Sequence, residues 1–397
     1  MAPAQPGKTS LDFDGLRPFS PFMTERHHAW RQQLRVFIDR EVAPHLDEWD
    51  KAGTFPDSVY DKAIEAGLYG MGFPAHLGGT VEDADLYHRI IFAEEFHRLG
   101  SGVVFADLAT HWIGLPPVIT AGNPALIEDV AKPVLAGKLR IAFAITEPSG
   151  GSDVANMQTT AARDGDHYVL NGAKTMISGA MRADVALLVA RTGGPGMGGL
   201  SLLLADLRQP GVSRAPVPGT AWYNKNIGTI RFDNARVPAA NLIGVENQGF
   251  AGLAGQLNVE RFSGIGATLA MSRACLSEAI AHAQTRQTFG KRLIDHQAIR
   301  HKLVEMVRMV HAAYGYLDQC AWQFSNGQLA IADLALLKIT GSKTLEHCAR
   351  EAMQVLGSGA YTGPSRVERI YREARTFAIG GGTEEILMDL AGKQLRF

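Results

Sequence analysis

Residues 142–180 read AFAITEPSGGSDVANMQTTAARDGDHYVLNGAKTMISGA, and what this stretch forms settles the architecture on either side of it. It opens in an apolar run, 141–145, and passes at once into Thr146, Glu147, Pro148, Ser149, Gly150, Gly151, Ser152 and Asp153. That change reads as a strand giving way to a tight polar turn, whose glycines and short side chains expose backbone N–H groups suited to a polar, phosphate-bearing ligand. Further short apolar runs at 167–170, 185–191, 200–204 and 229–232 are separated by turn signals such as Asn171-Gly172 and Gln209-Pro210-Gly211. This alternation predicts a β domain of antiparallel strands over residues 141–245. Gly194, Gly196 and Gly199 match the G-x-G-x-x-G pattern, but a strand follows them where a dinucleotide site needs a helix N-terminus, so they read as a hairpin loop.

Outward from this centre the pattern becomes helical. Residues 24–42 place Trp30, Leu34, Phe37 and Ile38 at helical spacing, with Pro44 as the stop. Further helices are expected at 56–67, 84–99 and 103–115, the last ended by Pro116-Pro117, so residues 1–140 form a helical domain. Residues 246–397 hold long helical stretches at 250–286, 295–324, 328–356 and from 383 to the end, which with short connections predict an antiparallel four-helix bundle. The fold class is therefore α+β in the order α, β, α.

The chain has 397 residues, enough for two or three cores. Its 39 basic and 40 acidic residues leave a net charge of -1, so bulk charge offers nothing to nucleic acid or anionic lipid. Small-molecule chemistry becomes the default. No uninterrupted apolar run is long enough for a bilayer, and MAPAQPGKTS lacks the apolar core of a secretory signal. Cys275, Cys320 and Cys348 lie far apart in helix-like sequence and read as reduced, buried and cytoplasmic. No Cys/His cluster has zinc-ligand spacing, so no metal is expected.

Five motifs, AITEPSGGSDV, NGAKTMIS, TRQTFGKRLIDHQAI, QVLGSGAY and AIGGGTEEI, stand in the order and approximate spacing of the acyl-CoA dehydrogenases, which the chain resembles over nearly its whole length. The resemblance implies a flavoprotein with FAD between the β domain and the bundle, a homotetramer built as a dimer of dimers, and electron-transferring flavoprotein as acceptor. It places Phe143, Ile145 and Thr146 along the isoalloxazine ring, with the Thr146 hydroxyl bonding the flavin, and Met176 and Ser178 on the other side. The family more often has an aromatic residue where Met176 stands. Arg286 and Phe289 resemble residues reaching the FAD pyrophosphate and adenine from a neighbouring subunit, with Gln354 and Gly357 in the same role. His296 and Gln297 would lie near the dinucleotide, as would Thr383 and Glu385. Ser152, Asn258 and Arg261 resemble CoA-side residues.

Dehydrogenating a thioester between its α and β carbons needs a base for the α-proton and an acceptor for the β-hydride. In many family members the base is a glutamate directly before a Gly-Thr pair near the C-terminus. Here that position is Gly381. The isovaleryl-CoA and long-chain enzymes carry it instead on the first bundle helix, and the corresponding residue is Glu260. The resemblance thus implies that Glu260 removes the α-proton while flavin N5 takes the β-hydride, giving the trans-2-enoyl-CoA. The Gly381 N–H would polarise the thioester oxygen, and Gly382 would leave room beside it. Two alternatives keep the fold: a flavin oxidase or monooxygenase on a non-CoA substrate, and a catalytically inactive binding paralogue. Retention of Glu260, Arg261 and Ser152 argues against the first, and the near-zero net charge against a DNA-binding form of the second.

Overall fold

The computed structural model describes residues 11–81, 83–219, 225–250, 253–362 and 364–397. Residues 1–10, on which the expectation about a secretory signal rests, lie outside them. The helical first third comprises α1 (Glu25–Glu41), α2 (Leu46–Ala52), α3 (Ser58–Glu65), α4 (Leu86–His97), α5 (Val103–Leu108), α6 (His111–Ala121), α7 (Pro124–Leu126) and α8 (Lys132–Leu135). The middle third holds β1 (Ile141–Ala144), β2 (Thr160–Asp164), β3 (His167–Ile177), β4 (Val185–Arg191), β5 (Leu200–Asp206), β6 (Val212–Pro216), β7 (Gly228–Pro238) and β8 (Leu242–Ile243). The last third is a helical bundle of α9 (Ala254–Thr285), α10 (Gln297–Ser325), α11 (Ile331–Leu356), α12 (Ser358–Tyr361), α13 (Arg366–Ile379) and α14 (Glu384–Leu395).

Three expectations are corrected. The helix expected to stop at Pro116-Pro117 runs through both prolines to Ala121, while the break falls earlier, at Ala109–Thr110 between α5 and α6. Each proline withholds an N–H from the carbonyl one turn back, but Trp112, Leu115 and Val118, each at most 4% exposed, hold the helix together by burial. The sheet is mixed rather than antiparallel: its strand order is β6-β7-β3-β2-β4-β5-β8, and β1 pairs parallel with β4 in register Ile141↔Val185. Parallel pairing is possible because the chain passes through a short 3-10 turn, Val154–Asn156, and then β2 and β3 before returning as β4. The bundle also contains α13, absent from the four expected helices; Val367, Ile370, Ala374, Phe377 and Ala378 make one buried stripe on it.

By internal contacts the chain divides into two compact units. One consists of residues 39–85 and 103–260, and its core is the sheet. β4 and β5 are buried along nearly their whole length, and Gly114 lets α6 approach β1 so closely that a Cβ there would stand 3.0 Å from Ile141 Cγ1. The Val103–Ala121 segment is apolar and long enough to cross a membrane by length and composition, yet 67% of its most apolar window is buried inside the protein.

The other unit consists of residues 1–38, 86–102 and 261–397. α9 and α11 meet at Gly341, where a Cβ would stand 2.8 Å from Thr268 Oγ1. α4 carries two fully buried carboxylates. Glu94 accepts from Arg31 Nη2 at 2.6 Å and from the Tyr314 hydroxyl at 2.9 Å, and Glu95 pairs with Arg35 at 2.8 Å. Burial opposes ionisation of Glu94, but Arg17, Arg31 and Arg273 outweigh it and hold the carboxyl at about 2.

Candidate active site

The stretch 142–180 forms a shelf in the sheet-containing unit. β1 buries Ala142 and Ala144 and turns the half-buried Phe143 to the opposite face. Beyond the strand, the Ile145 carbonyl accepts from Lys174 Nζ at 3.0 Å and the Thr146 carbonyl accepts from the Thr175 N–H at 2.9 Å. In a trans peptide the carbonyl and the following N–H point in opposite directions, so the bond to Lys174 turns the Thr146 N–H away from the core. Neither that N–H nor the Thr146 hydroxyl has a partner among the described residues.

Glu147, 4% exposed, is the anchor beneath this turn. It accepts from Lys174 Nζ at 2.8 Å, from the Gln158 N–H at 2.6 Å and from the Thr159 N–H at 3.0 Å. Burial disfavours its charge, yet Lys174 and Thr159 hold the carboxyl at about 2. A carboxylate so committed has no capacity for acid–base work near neutral pH. Asp153 is exposed and accepts from Asn156 Nδ2 at 2.6 Å. Both side chains therefore shape the loop.

Opposite the turn, β3 changes register against β7 between Lys174 and Ile177. Within that bulge Met176 takes φ 57, a left-handed conformation uncommon for a side-chain-bearing residue, and stays 59% exposed. Ser178 follows, half-buried. The unit thus presents an unpartnered donor and hydroxyl at Thr146, an apolar surface at Phe143 and Ile145, and a polarisable thioether at Met176, a combination that fits an aromatic ring with a polar edge. Ser152 lies exposed in the loop, without a hydrogen bond to these residues. Asn258 and Glu260 are half-buried on the first turns of α9.

The remaining candidates lie in the bundle unit and form two groups. The first is the hairpin after α9: Gln287–Thr288 pairs with Lys291–Arg292, and Phe289 and Gly290 take φ 50 and 76 at its tip. Arg286 is exposed at its base and Phe289 is 96% exposed. His296 Nε2 lies 3.3 Å from the Thr288 hydroxyl, its ring faces Phe289 edge-on, and Gln297 opens α10. The second group surrounds Gly380–Gly382. Arg261 Nε donates to the Gly381 carbonyl at 3.3 Å, Lys338 Nζ donates to the Gly382 carbonyl at 2.7 Å, and the Thr383 hydroxyl caps α14 by accepting from the Ile386 N–H. Glu385 is exposed on the first turn of α14, where a carboxylate suits the helix dipole. Gln354 and Gly357, at the exposed end of α11, are hydrogen-bonded to neither group among the described residues.

Two residues at the site escaped the sequence reading, and both carried a signal. Lys174 shares the inward parity of Tyr168 and Leu170 on β3, so a lysine there must be buried and needs a counterion. Lys338 lies four residues after Leu334 and three before Gly341, inside the buried stripe of α11.

Comparison with known proteins agrees with this arrangement. The chain matches the N-terminal domain of acyl-CoA dehydrogenase over residues 24–138, the middle domain over 142–235 and the C-terminal domain over 247–396. It is 32% identical to the acyl-CoA dehydrogenase apdG of Emericella nidulans, the match covering 95% of this chain and 92% of that one. It is 33% identical to the caffeyl-CoA reductase-Etf complex subunit CarC of Acetobacterium woodii, covering 92% and 97%. The crystal structure of a putative acyl-CoA dehydrogenase from Mycobacterium smegmatis superposes with a TM-score of 0.91 at 40% identity, covering 95% of this chain and 100% of that one. The chain belongs to the acyl-CoA dehydrogenase family, FAD-dependent oxidoreductases acting on CH–CH groups.

Proposed function

We propose that the protein dehydrogenates an acyl-CoA thioester between its α and β carbons, with Glu260 as the base. The observation that carries this reading is the exchange of positions: Gly381 leaves no carboxylate before the Gly382-Thr383 pair, while α9 holds a half-buried glutamate at 260. A carboxylate at this place can take up the α-proton, and a hydrogen bond to the thioester carbonyl makes that proton more acidic. Bound FAD supplies the hydride acceptor. Thr146 offers its free N–H and hydroxyl to the polar edge of the ring, and Phe143, Ile145, Met176 and Ser178 pack along it. Arg286, as a fork of donors, takes a pyrophosphate, and Phe289 takes an adenine. Gln354, Gly357, His296, Gln297, Thr383 and Glu385 complete the dinucleotide contacts.

On the substrate side, Glu260 takes the proton, the Gly381 N–H holds the developing charge on oxygen, and Ser152, Asn258, Arg261 and Gly382 receive the CoA thioester. The chain is organised as domains 1–140, 141–245 and 246–397, assembles as a tetramer with cofactor sites shared between copies, and works in the cytoplasm, where its buried free thiols stay reduced. An Etf-type flavoprotein is its electron partner, in keeping with the Etf complex named for the relative from Acetobacterium woodii. That relative's being a reductase subunit also favours a second reading, in which the same residues run the reaction from enoyl-CoA to acyl-CoA.

Replacing Glu260 by Gln leaves FAD bound and abolishes anaerobic bleaching of the flavin by acyl-CoA. Undiminished bleaching in E260Q removes Glu260 from the mechanism. A panel of acyl-CoAs of differing length and branching, read by the same bleaching, identifies the substrate.

A further inference from the structure

Between α13 and α14 the chain crosses three glycines, Gly380, Gly381 and Gly382, which have no side chains to fix them. Gly381 and Gly382 take φ 69 and 102, in the left-handed region that glycine reaches freely and leaves as freely. The Gly380 N–H is spent on the Thr376 carbonyl at 2.7 Å. The other hydrogen bonds of the loop go through carbonyls: Gly381 to Arg261 Nε at 3.3 Å and Gly382 to Lys338 Nζ at 2.7 Å. The N–H groups of Gly381 and Gly382 have no partner among the described residues.

We propose that Lys338 is a positioning residue for the reaction: its buried ammonium, beside the Arg261 guanidinium, grips the loop by its carbonyls and keeps the Gly381 and Gly382 N–H groups presented to the substrate oxygen. This rests on the acyl-CoA reading above. The shorter of the two carbonyl contacts is the one to Lys338, and Lys338 is only 7% exposed, so water competes little for it. On the far side of the loop, α14 is fixed independently, by the Thr383 cap and by the Ser342 hydroxyl donating to Glu384 at 2.6 Å. Loss of the ammonium therefore frees the Gly382 carbonyl, leaving the loop to Arg261 and the Gly380 N–H, while α14 stays anchored by Ser342.

The charged groups facing Lys338 are Glu384 and Glu385 from α14, which favour its charge, and Arg261 from α9, which opposes it. Burial outweighs the carboxylates and pulls the ammonium down to about 8. The grip consequently weakens as pH rises through that value.

The test compares holoenzymes of wild type, K338M and K338R. K338M lowers kcat/KM by roughly 10- to 100-fold, the loss expected from a misplaced binding group, and raises hydrogen–deuterium exchange at residues 380–383. Wild type loses kcat/KM above pH 8. K338R, whose guanidinium stays charged, keeps most of the activity and lacks that limb. Exchange at 380–383 in K338M equal to wild type overturns the proposal, as does an alkaline limb that persists unchanged in K338R. Exchange is read without substrate, so a wild type that no acyl-CoA reduces defeats the acyl-CoA reading and leaves the grip itself decided by the exchange result.

Discussion

Replacing Lys174 by Met tests whether the shelf depends on its buried ion pair. Lys174 is fully buried and Glu147 nearly so, with 2.8 Å between Nζ and Oε1. K174M removes the ammonium from a side chain of nearly the same reach and leaves the Glu147 carboxylate with only backbone and hydroxyl donors, and an uncompensated buried charge costs ~3–5 kcal/mol. E147Q leaves the ammonium without a counter-charge instead, with only neutral oxygens, the Gln amide and the Ile145 carbonyl at 3.0 Å, to accept from it, at a similar cost. The double variant carries no charge and loses only hydrogen bonds, about 1–3 kcal/mol in all. It should therefore be more stable than either single variant, a coupling that far exceeds the ~0.5 kcal/mol scatter of independent sites. Urea unfolding followed by far-UV circular dichroism measures the four stabilities, and flavin fluorescence gives FAD affinity for each. The Ile145–Thr146 peptide loses its anchor in K174M, so FAD affinity falls in that variant even where the fold survives. Strict additivity of the two single effects, or a K174M penalty below about 1 kcal/mol, refutes the argument.

Acid should unfold the protein by a predictable route. Glu94 and Glu147 are held at about 2 against an ordinary 4.5, so the stability they contribute is fully present above 4.5 and is lost as pH falls toward 2. The urea midpoint should drop steeply over that interval and less so in E94Q; a flat midpoint contradicts the assignment. Gly79→Ala drives a Cβ to 1.8 Å from the Phe73 carbonyl oxygen, a backbone clash costing about 1–3 kcal/mol or more, read as a lowered Tm. Cys275, Cys320 and Cys348 are fully buried, and burial raises Cys320 and Cys348 to about 12. A thiol reagent should label none of them in the native protein and all three after denaturation, and rapid native labelling would show that the helices open.

The order of helical, β and helical segments was legible in the chain because it is written in local periodicity. Trp30, Leu34, Phe37 and Ile38 can bury together only on a helix, and the apolar run at 185–191 between turn signals suits only a buried strand. The motif loops at 145–153 and 380–383 were legible for the same reason, since glycine, proline and capping residues act within a few positions of themselves. Local signals misled where packing competes with propensity: Pro116 and Pro117 sit inside α6 because the surrounding burial outweighs two lost hydrogen bonds. They were silent where partners lie far apart in sequence. No pattern around Ile141 announces a parallel neighbour at Val185, and none around Gly382 announces Lys338. The sequence by itself determined the order of helical and β segments and which family they compose. Only the tertiary structure decided which charges are removed from water together, Glu147 with Lys174 and Glu94 with its arginines, and which backbone N–H groups, at Thr146, Gly381 and Gly382, are left without a partner among the described residues. Hydrogen bonding and desolvation depend on distances across the fold, and no run of neighbouring residues encodes those distances.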